Sequence, residues 1–279
     1  MKNQFDTHIL PTWCPGCGNW SIFTALKQAL AKNNLQPHEF VVVTDIGCSS
    51  NAADFINTYV FHGLHGRSLP VATGIKLANH HLPVIVIIGD GACYGEGLNH
   101  FINLMRGNHN ITVLVCDNYL YGLTTGQYSP TTIKGTITKS TPNGSIEEAL
   151  NPLALALANQ TTFAARGYAF DLSHLTNLID KAINHQGFSL LDILQPCVSF
   201  NKTQTVAWYQ EKVYKLKTVF KTKPEAFNES LRTDKLAIGI FYQEDRLTYD
   251  REDKVLQKGL LVDKKIDKIN IGKLVEGFV

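Results

Sequence analysis

With 279 residues the chain can bury one large core, or a core and an appendage. Its 44% hydrophobic content and formal net charge of +2 describe an ordinary globular protein and give no support for nucleic acid as a partner. No run of about 18 apolar residues is present, which argues against a membrane span.

The N-terminal stretch Met1-Lys2-Asn3-Gln4-Phe5-Asp6 lacks the apolar centre of a signal peptide, so the cytoplasm is the expected compartment. Residues 5–18 read as an irregular lead-in that ends in Trp13-Cys14-Pro15-Gly16-Cys17-Gly18. Pro and Gly between two cysteines make a tight turn able to aim both thiolates at one metal centre. Thioredoxin-type redox chemistry is the competing reading, but it wants a strand just before the motif, and Thr7 to Thr12 is a poor one. A helix over 19–32 follows, with Ile22, Phe23, Leu26, Ala29 and Leu30 at helical spacing. Phe40 to Thr44 is a strand that empties into Asp45-Ile46-Gly47-Cys48-Ser49-Ser50. Cys48 therefore stands at a strand end, where a lone cysteine is commonly just a small buried side chain. Phe61-His62-Gly63-Leu64-His65-Gly66-Arg67 is a glycine-rich corner before a helix over 71–79. His62 and His65 could share a metal; with Arg67 they better suit polar groups of a cofactor or of a partner subunit.

The middle of the chain is more specific. Val84 to Ile88 is an unbroken β-branched run into Gly89-Asp90-Gly91, and Ile111 to Val115 runs into Cys116-Asp117-Asn118. Such runs read as strands buried on both faces of a parallel sheet. With a helix over 96–106 between them they form a βαβ unit, expected to be right-handed. Ligands of these sheets sit beyond the carboxyl ends of the strands. Asp90 and Asn118 put oxygen donors there, suited to a magnesium ion carrying a diphosphate. A plain strand–helix turn capped by Asp90 is the alternative. Further on, 130–144 reads as an ordered loop, Ser145-Ile146-Glu147-Glu148 as the start of a helix reaching Asn159, 161–168 as a strand and 173–185 as a helix. The strand over 189–194 ends in Gln195-Pro196-Cys197. The fold expected is α/β, a mostly parallel central sheet flanked by helices.

Charge shifts near residue 200: residues 1–200 hold 22 charged side chains and the shorter segment 201–279 holds 28. The first part reads as a densely packed domain with an interface on its surface. The second, with an amphipathic helix over 208–221, a strand over 236–243 and about thirty final residues without a clear core, reads as a C-terminal arm that packs on another subunit. A small further lobe of the same domain is the alternative. Of six cysteines, Cys14, Cys17, Cys48 and Cys197 all lie in turns. Four thiolates can hold zinc or an iron–sulfur cluster; one close pair and two distant singles suit a cluster tucked against a sheet better than a zinc ribbon. Cys93 follows the Gly-Asp-Gly turn and Cys116 lies in a buried strand.

Gly89-Asp90-Gly91 followed by Asp117-Asn118 resembles the thiamin diphosphate signature, in which Asp90, Asn118 and the Leu120 carbonyl would bind magnesium. Cys14-Pro15-Gly16-Cys17-Gly18, Ile46-Gly47-Cys48-Ser49-Ser50, Leu64-His65-Gly66-Arg67 with Leu69 to Gly74, Tyr121 to Gln127 with Ser129-Pro130, and Pro196-Cys197 extend the likeness. Together they resemble the β subunit of a 2-oxoacid:ferredoxin oxidoreductase, and Ile238-Gly239-Ile240-Phe241-Tyr242 is similar to a late motif of that family. The resemblance implies a thiamin diphosphate-binding fold and the oxidative decarboxylation of a 2-oxoacid such as pyruvate or 2-oxoglutarate, with coenzyme A. Electrons would pass singly through a [4Fe–4S] cluster on Cys14, Cys17, Cys48 and Cys197 to ferredoxin. It assigns the cofactor pocket to Ile46, Gly47, Cys48, Ser49, His65, Gly66, Arg67, Gly89, Asp90, Gly91, Asn118, Leu120, Gly122, Leu123 and Thr124. With one sheet's worth of strands the chain is half of a site, so an obligate α subunit would supply the pyrimidine side in an αβ or (αβ)2 assembly. Asn51 stands where a basic residue is frequent, giving a neutral amide to any substrate carboxylate. Ala92 stands where an acid is frequent. Two rivals follow from the residues: a non-redox thiamin decarboxylase or carboligase with structural zinc, and a non-catalytic iron–sulfur electron-transfer subunit.

Overall fold

The computed structural model describes residues 3–265 and 271–278. Met1, Lys2 and, within the expected arm, residues 266–270 and 279 lie outside the described residues. The strands are β1 (Val41–Thr44), β2 (Tyr59–His62), β3 (Val84–Gly89), β4 (Thr112–Asp117), the short β5 (Leu120–Tyr121) and β6 (Gln127–Tyr128), β7 (Phe163–Tyr168), β8 (Ser189–Leu194), β9 (Val213–Lys215) and β10 (Leu236–Gln243). The helices that cover them are α1 (Gly18–Lys32), α2 (Ala52–Phe55), α3 (Ser68–Ala78), α4 (Leu98–Gly107), α5 (Pro152–Ala158), α6 (Leu172–Asn184), α7 (Val206–Lys212) and α8 (Lys223–Ser230).

Eight strands form one sheet in the order β2-β1-β3-β4-β8-β7-β10-β9. The first six are parallel; β10 runs antiparallel to β7, with β9 parallel to β10. The pleat sorts the β-branched runs onto two cores. Val84, Val86 and Ile88 face α3, α4 and α5, while Ile85 and Ile87 face α1 and α6. Both faces are covered, which is why these strands read as continuous apolar runs. From β1 the chain goes outward to β2 and then back across to β3. The crevice between the carboxyl ends of β1 and β3 is therefore the switch point where such sheets bind ligands.

Several local readings change. β2 is an added strand: it is only four residues long, and its Tyr59, Phe61 and His62 side chains lie exposed at the sheet edge. The expected helix start at Ser145 is absent: the Ser145 amide donates to the Thr136 carbonyl and the Ser145 carbonyl accepts from Gly135, which ties the segment into the loop. The helix begins at Pro152 instead, where Asn151 Oδ1 accepts from the Ala154 amide. The expected helix over 208–221 stops at Lys212, and the chain turns extended as β9 to pair with β10. Beyond residue 200, β10 and β9 are the last two strands of the main sheet and α8 packs on α5.

Candidate active site

The parallel strands deliver their polar ends to one edge. β1 leads to Ile46-Gly47-Cys48-Ser49, β3 to Asp90-Gly91 and β4 to Asn118. Around the switch point these residues line a cavity of about 180 Å³, together with His65, Gly89, Ala92, Cys116, Leu120, Tyr121, Gly122, Leu123 and Thr124. Of the expected cofactor residues, Gly66 and Arg67 lie behind this wall. The Gly66 amide donates to Asp45 Oδ2 at 3.0 Å, and Arg67 Nη1 donates to the Glu96 carbonyl at 2.8 Å. They fix the corner rather than line the cavity. His62 stands exposed at the edge of β2, apart from His65.

Asp90 is buried, and its Oδ2 accepts from Ser129 Oγ at 2.5 Å and Thr131 Oγ1 at 2.7 Å. Thr131 also donates to Asp117 Oδ1 at 2.8 Å. Asp192, equally buried, accepts from Tyr94 and pairs with Arg166 Nε at 3.3 Å. Burial pushes the Asp90 carboxyl up to about 6, and it pushes Asp117 up as well, with Asp192 and Asp90 adding to the shift. Arg166 pairs with Asp192, whereas Asp90 and Asp117 are held by hydroxyls and a backbone amide, which leaves the cluster short of positive charge. Asn118 Oδ1 accepts from the Leu120 amide at 3.0 Å, so an Asx turn fixes its oxygen at the strand end. Hard oxygen donors and a deficit of cations are what a magnesium ion would complete. A Cβ at Gly91 would lie 2.2 Å from Tyr121 Cε1, so only glycine lets this turn close on the wall.

A second cavity, of about 270 Å³, adjoins the first and shares Cys48, Asn118, Gly122 and Leu123 with it. Cys14, Cys17, Cys48 and Cys197 all line it, with Thr12, Trp13, Asn51 and Gln195 among its other walls. Asn51 thus lies on the cysteine side. The Cys17 amide donates to the Cys14 carbonyl, and Gly16 takes φ +78° to close the turn. Two indoles brace the loops: Trp13 Nε1 donates to the Cys48 carbonyl at 2.6 Å and Trp20 Nε1 to the Cys14 carbonyl at 3.1 Å. Burial pushes the Cys48 thiol up to about 11, with Cys17, Cys197 and Cys14 adding to the shift. Four thiols that oppose one another's ionisation need a cationic centre to become thiolates together. Among the described residues no three His, Cys, Asp or Glu side chains converge as they would on a single metal ion. Cys93 is fully buried outside both cavities, whereas Cys116 reaches the first one.

Glu96 was not singled out in the sequence. Its carboxylate stands 3.2 Å from His65 Nε2 and accepts from Tyr121 OH at 3.1 Å, linking two residues of the cavity wall. It sits at the end of a π-helical turn, Ala92–Glu96, an irregularity frequent at functional sites.

A strand–turn cradle at the switch point, with Asp90 and Asn118 at its floor, defines the cofactor-binding domain of a thiamin diphosphate enzyme. Residues 45–193 match the family described as thiamine pyrophosphate enzyme, C-terminal TPP binding domain. Residues 197–258 match the family described as the C-terminal part of the pyruvate ferredoxin oxidoreductase beta subunit. The chain is 44% identical over 249 residues to a 2-oxoacid:ferredoxin oxidoreductase subunit beta of Sulfolobus sp, covering 84% of this chain and 82% of that one. It is 46% identical over 213 residues to 2-oxoacid:ferredoxin oxidoreductase 1, subunit beta, of Aeropyrum pernix, covering 76% and 67%. A solved 2-oxoglutarate:ferredoxin oxidoreductase from Magnetococcus marinus, with 2-oxoglutarate, coenzyme A and succinyl-CoA bound, superposes with a TM-score of 0.90 at 31% identity, covering 99% of this chain and 95% of that one. The chain belongs to the β-subunit family of the 2-oxoacid:ferredoxin oxidoreductases.

Proposed function

We propose that this chain carries the thiamin diphosphate and the electron relay for the coenzyme A-linked oxidative decarboxylation of a 2-oxoacid, with ferredoxin as acceptor. The observation that carries the reading is the shared wall: Cys48, Asn118, Gly122 and Leu123 border both the diphosphate cavity and the four-cysteine cavity. Asp90, Asn118 and the Leu120 carbonyl would hold magnesium, and Cys14, Cys17, Cys48 and Cys197 a [4Fe–4S] cluster. When bound, thiamin diphosphate supplies stabilisation of the carbanion left by decarboxylation, and the cluster supplies one-electron transfer. This chain's own residues bind, orient and insulate: Gly91 and Gly122 admit the diphosphate, Ser129 and Thr131 orient Asp90, and Trp13 shields the thiols. A 180 Å³ cavity falls below the roughly 300–1,000 Å³ of a complete small-molecule site. That supports an α subunit as the source of the remaining wall, in an αβ or (αβ)2 assembly.

Residues 1–200 are proposed as the cofactor-binding unit and 201–279 as the segment that packs on the partner. Exposed Leu247, Val255, Val262 and Phe278 fit such a role. Asn51 is proposed to face substrate from the cysteine side, where the two cavities share Cys48, Asn118, Gly122 and Leu123. A cytoplasmic site of action accords with six unpaired cysteines; among the described residues no helix is long and apolar enough to cross a membrane.

Anaerobic purification with the α partner, followed by assay of iron, sulfide, zinc and thiamin diphosphate, tests the reading. About four irons and one thiamin diphosphate per β chain are expected. Zinc without sulfide would sink the relay, and a cluster without thiamin would leave a pure electron-transfer subunit. Cys197→Ala should abolish the visible absorbance of the cluster and leave thiamin diphosphate bound.

A further inference from the structure

Among the groups around the four thiols, one side chain points a hydrogen-bond donor at sulfur. Gln195 follows β8 directly and is 1% exposed. Its amide nitrogen in the backbone donates to the Asp117 carbonyl at 2.8 Å, which extends the β4–β8 pairing by one residue. Its side-chain Nε2 donates to Cys17 Sγ at 3.4 Å. A backbone N–H, that of Asn19, reaches the same sulfur. The helix start is shaped around this amide: a Cβ at Gly18 would fall 2.6 Å from Gln195 Cγ. Gly18 N–H in turn faces the Pro196 carbonyl at 3.5 Å. The glycine after the second cysteine therefore has a packing reason, which is to let Gln195 reach the sulfur. Once Cys17 is a metal-bound thiolate it has no proton to give, so the only amide orientation that satisfies the contact presents N–H to sulfur.

We propose that Gln195 is a positioning residue that sets the reduction potential of the cluster, an inference resting on the four-cysteine assignment above. An N–H···S bond strengthens as negative charge accumulates on the sulfur. Reduction adds one electron to the cluster and spreads part of that charge onto its thiolates. The bond is therefore stronger in the reduced state and raises the potential, in the way hydrogen bonds to cluster sulfurs do generally. The site is buried, so water does not replace the lost donor and the effect is undiluted by solvent. Gln195 lines the cysteine cavity and not the diphosphate cavity, which separates its role from that of Asp90.

The test uses the complex with its α partner, purified anaerobically as wild type, Gln195→Leu and Gln195→Met. Both replacements are unbranched at Cβ, similar in bulk and without a donor. Iron, sulfide and bound thiamin diphosphate are assayed first, and midpoint potentials are then read by titration monitored by paramagnetic resonance. Both variants are expected to keep their iron, sulfide and thiamin diphosphate and to titrate at a more negative potential than wild type. They should also lose the coupling of one exchangeable proton to the reduced cluster. An unchanged or more positive potential in the loaded variants would overturn the proposal. So would loss of the cluster from both variants in complexes that still bind thiamin diphosphate, because Gln195 would then serve assembly. Failure of the underlying assignment looks different: the wild-type complex itself would lack iron and sulfide.

Discussion

His65 and Tyr121 line the diphosphate cavity, and Glu96 supports them both. His65 Nε2 meets the Glu96 carboxylate while His65 Nδ1 is buried without a hydrogen-bond partner. Glu96 also takes the Tyr121 hydroxyl, and its own carbonyl is pinned by Arg67. Glu96→Ala should weaken thiamin diphosphate binding by about tenfold, roughly 1.4 kcal/mol, while Glu96→Gln, which can still accept both bonds, should bind nearly as wild type. Calorimetric titration of the αβ complex checks this, and equal affinity for all three proteins would refute it. Asp45 offers a test in pH. Burial lifts its carboxyl from 3.8 to about 6, against hydrogen bonds from Ser50, Gly66 and Ser68 and the field of His65. The folded state thus favours the protonated form, so this contribution to stability is full below pH 3.8 and is lost as pH rises through about 6. Asp45→Asn removes that loss. Its stability relative to wild type should grow between about pH 4 and about pH 7, and a constant difference in denaturant midpoints would disprove the assignment. The residues legible in the sequence were those whose types announce chemistry at a strand end or in a tight turn: Asp90, Asn118 and the four cysteines. Glu96 and Gln195 were not, because an acid in a helical stretch and an amide beside a proline look like solvated positions until the fold buries their partners.

The elements read well wherever one pattern had no rival. β3, β4, β8 and β10 fall where continuous or alternating apolar runs put them, since burial on both faces leaves few other uses for such runs. Errors arose where two patterns competed. Ser145-Ile146-Glu147-Glu148 carries the Ser-x-x-Glu spacing of a capping box, yet the Ser145 backbone is already paired within the loop. Apolar spacing in Val213 and Leu216 suits a helix face, but pairing beside Leu236 to Ile238 half-buries the same side chains and supplies the backbone partners too. The true start of α5 rests on a cap the sequence does contain. Asn151→Ala removes the acceptor for the Ala154 amide and the donor to the Ser230 carbonyl, tying α5 to the end of α8. A loss of about 1–2 kcal/mol is expected in equilibrium unfolding, and Asn151→Asp, which keeps the cap alone, should recover part of it. Gly91 is the stricter case at this scale. With Tyr121 Cε1 2.2 Å from the position of its missing Cβ, Gly91→Ala must push the Tyr121 ring out of its place on the cavity wall.

For the molecule as a whole, the sheet order decides what the chain can do alone. The switch between β1 and β3 opens a cleft toward a single edge, and the residues that line it arrive there from one side. Ile46 and Leu123, both on that cleft, are left 41% and 46% exposed, and Leu64 beside it 77%. Apolar side chains at the rim of a half-sized cavity are what a second subunit would cover, and the covering would bury the cofactor as well as the rim. The same argument gives a measurable asymmetry. The isolated chain should bind thiamin diphosphate and magnesium through Asp90 and Asn118, but at least about a hundredfold more weakly than the αβ complex, because only the diphosphate end is held and the rest stays in water. Asp90→Ala should remove the magnesium dependence in both settings. If the isolated chain instead binds as tightly as the complex, the cleft is complete as it stands and the proposed shared wall is wrong. If the complex binds tightly but Asp90→Ala binds equally well, the magnesium anchor lies elsewhere. The division between these outcomes follows from topology: a parallel sheet places its donors at one edge, and one edge grips one end of a ligand.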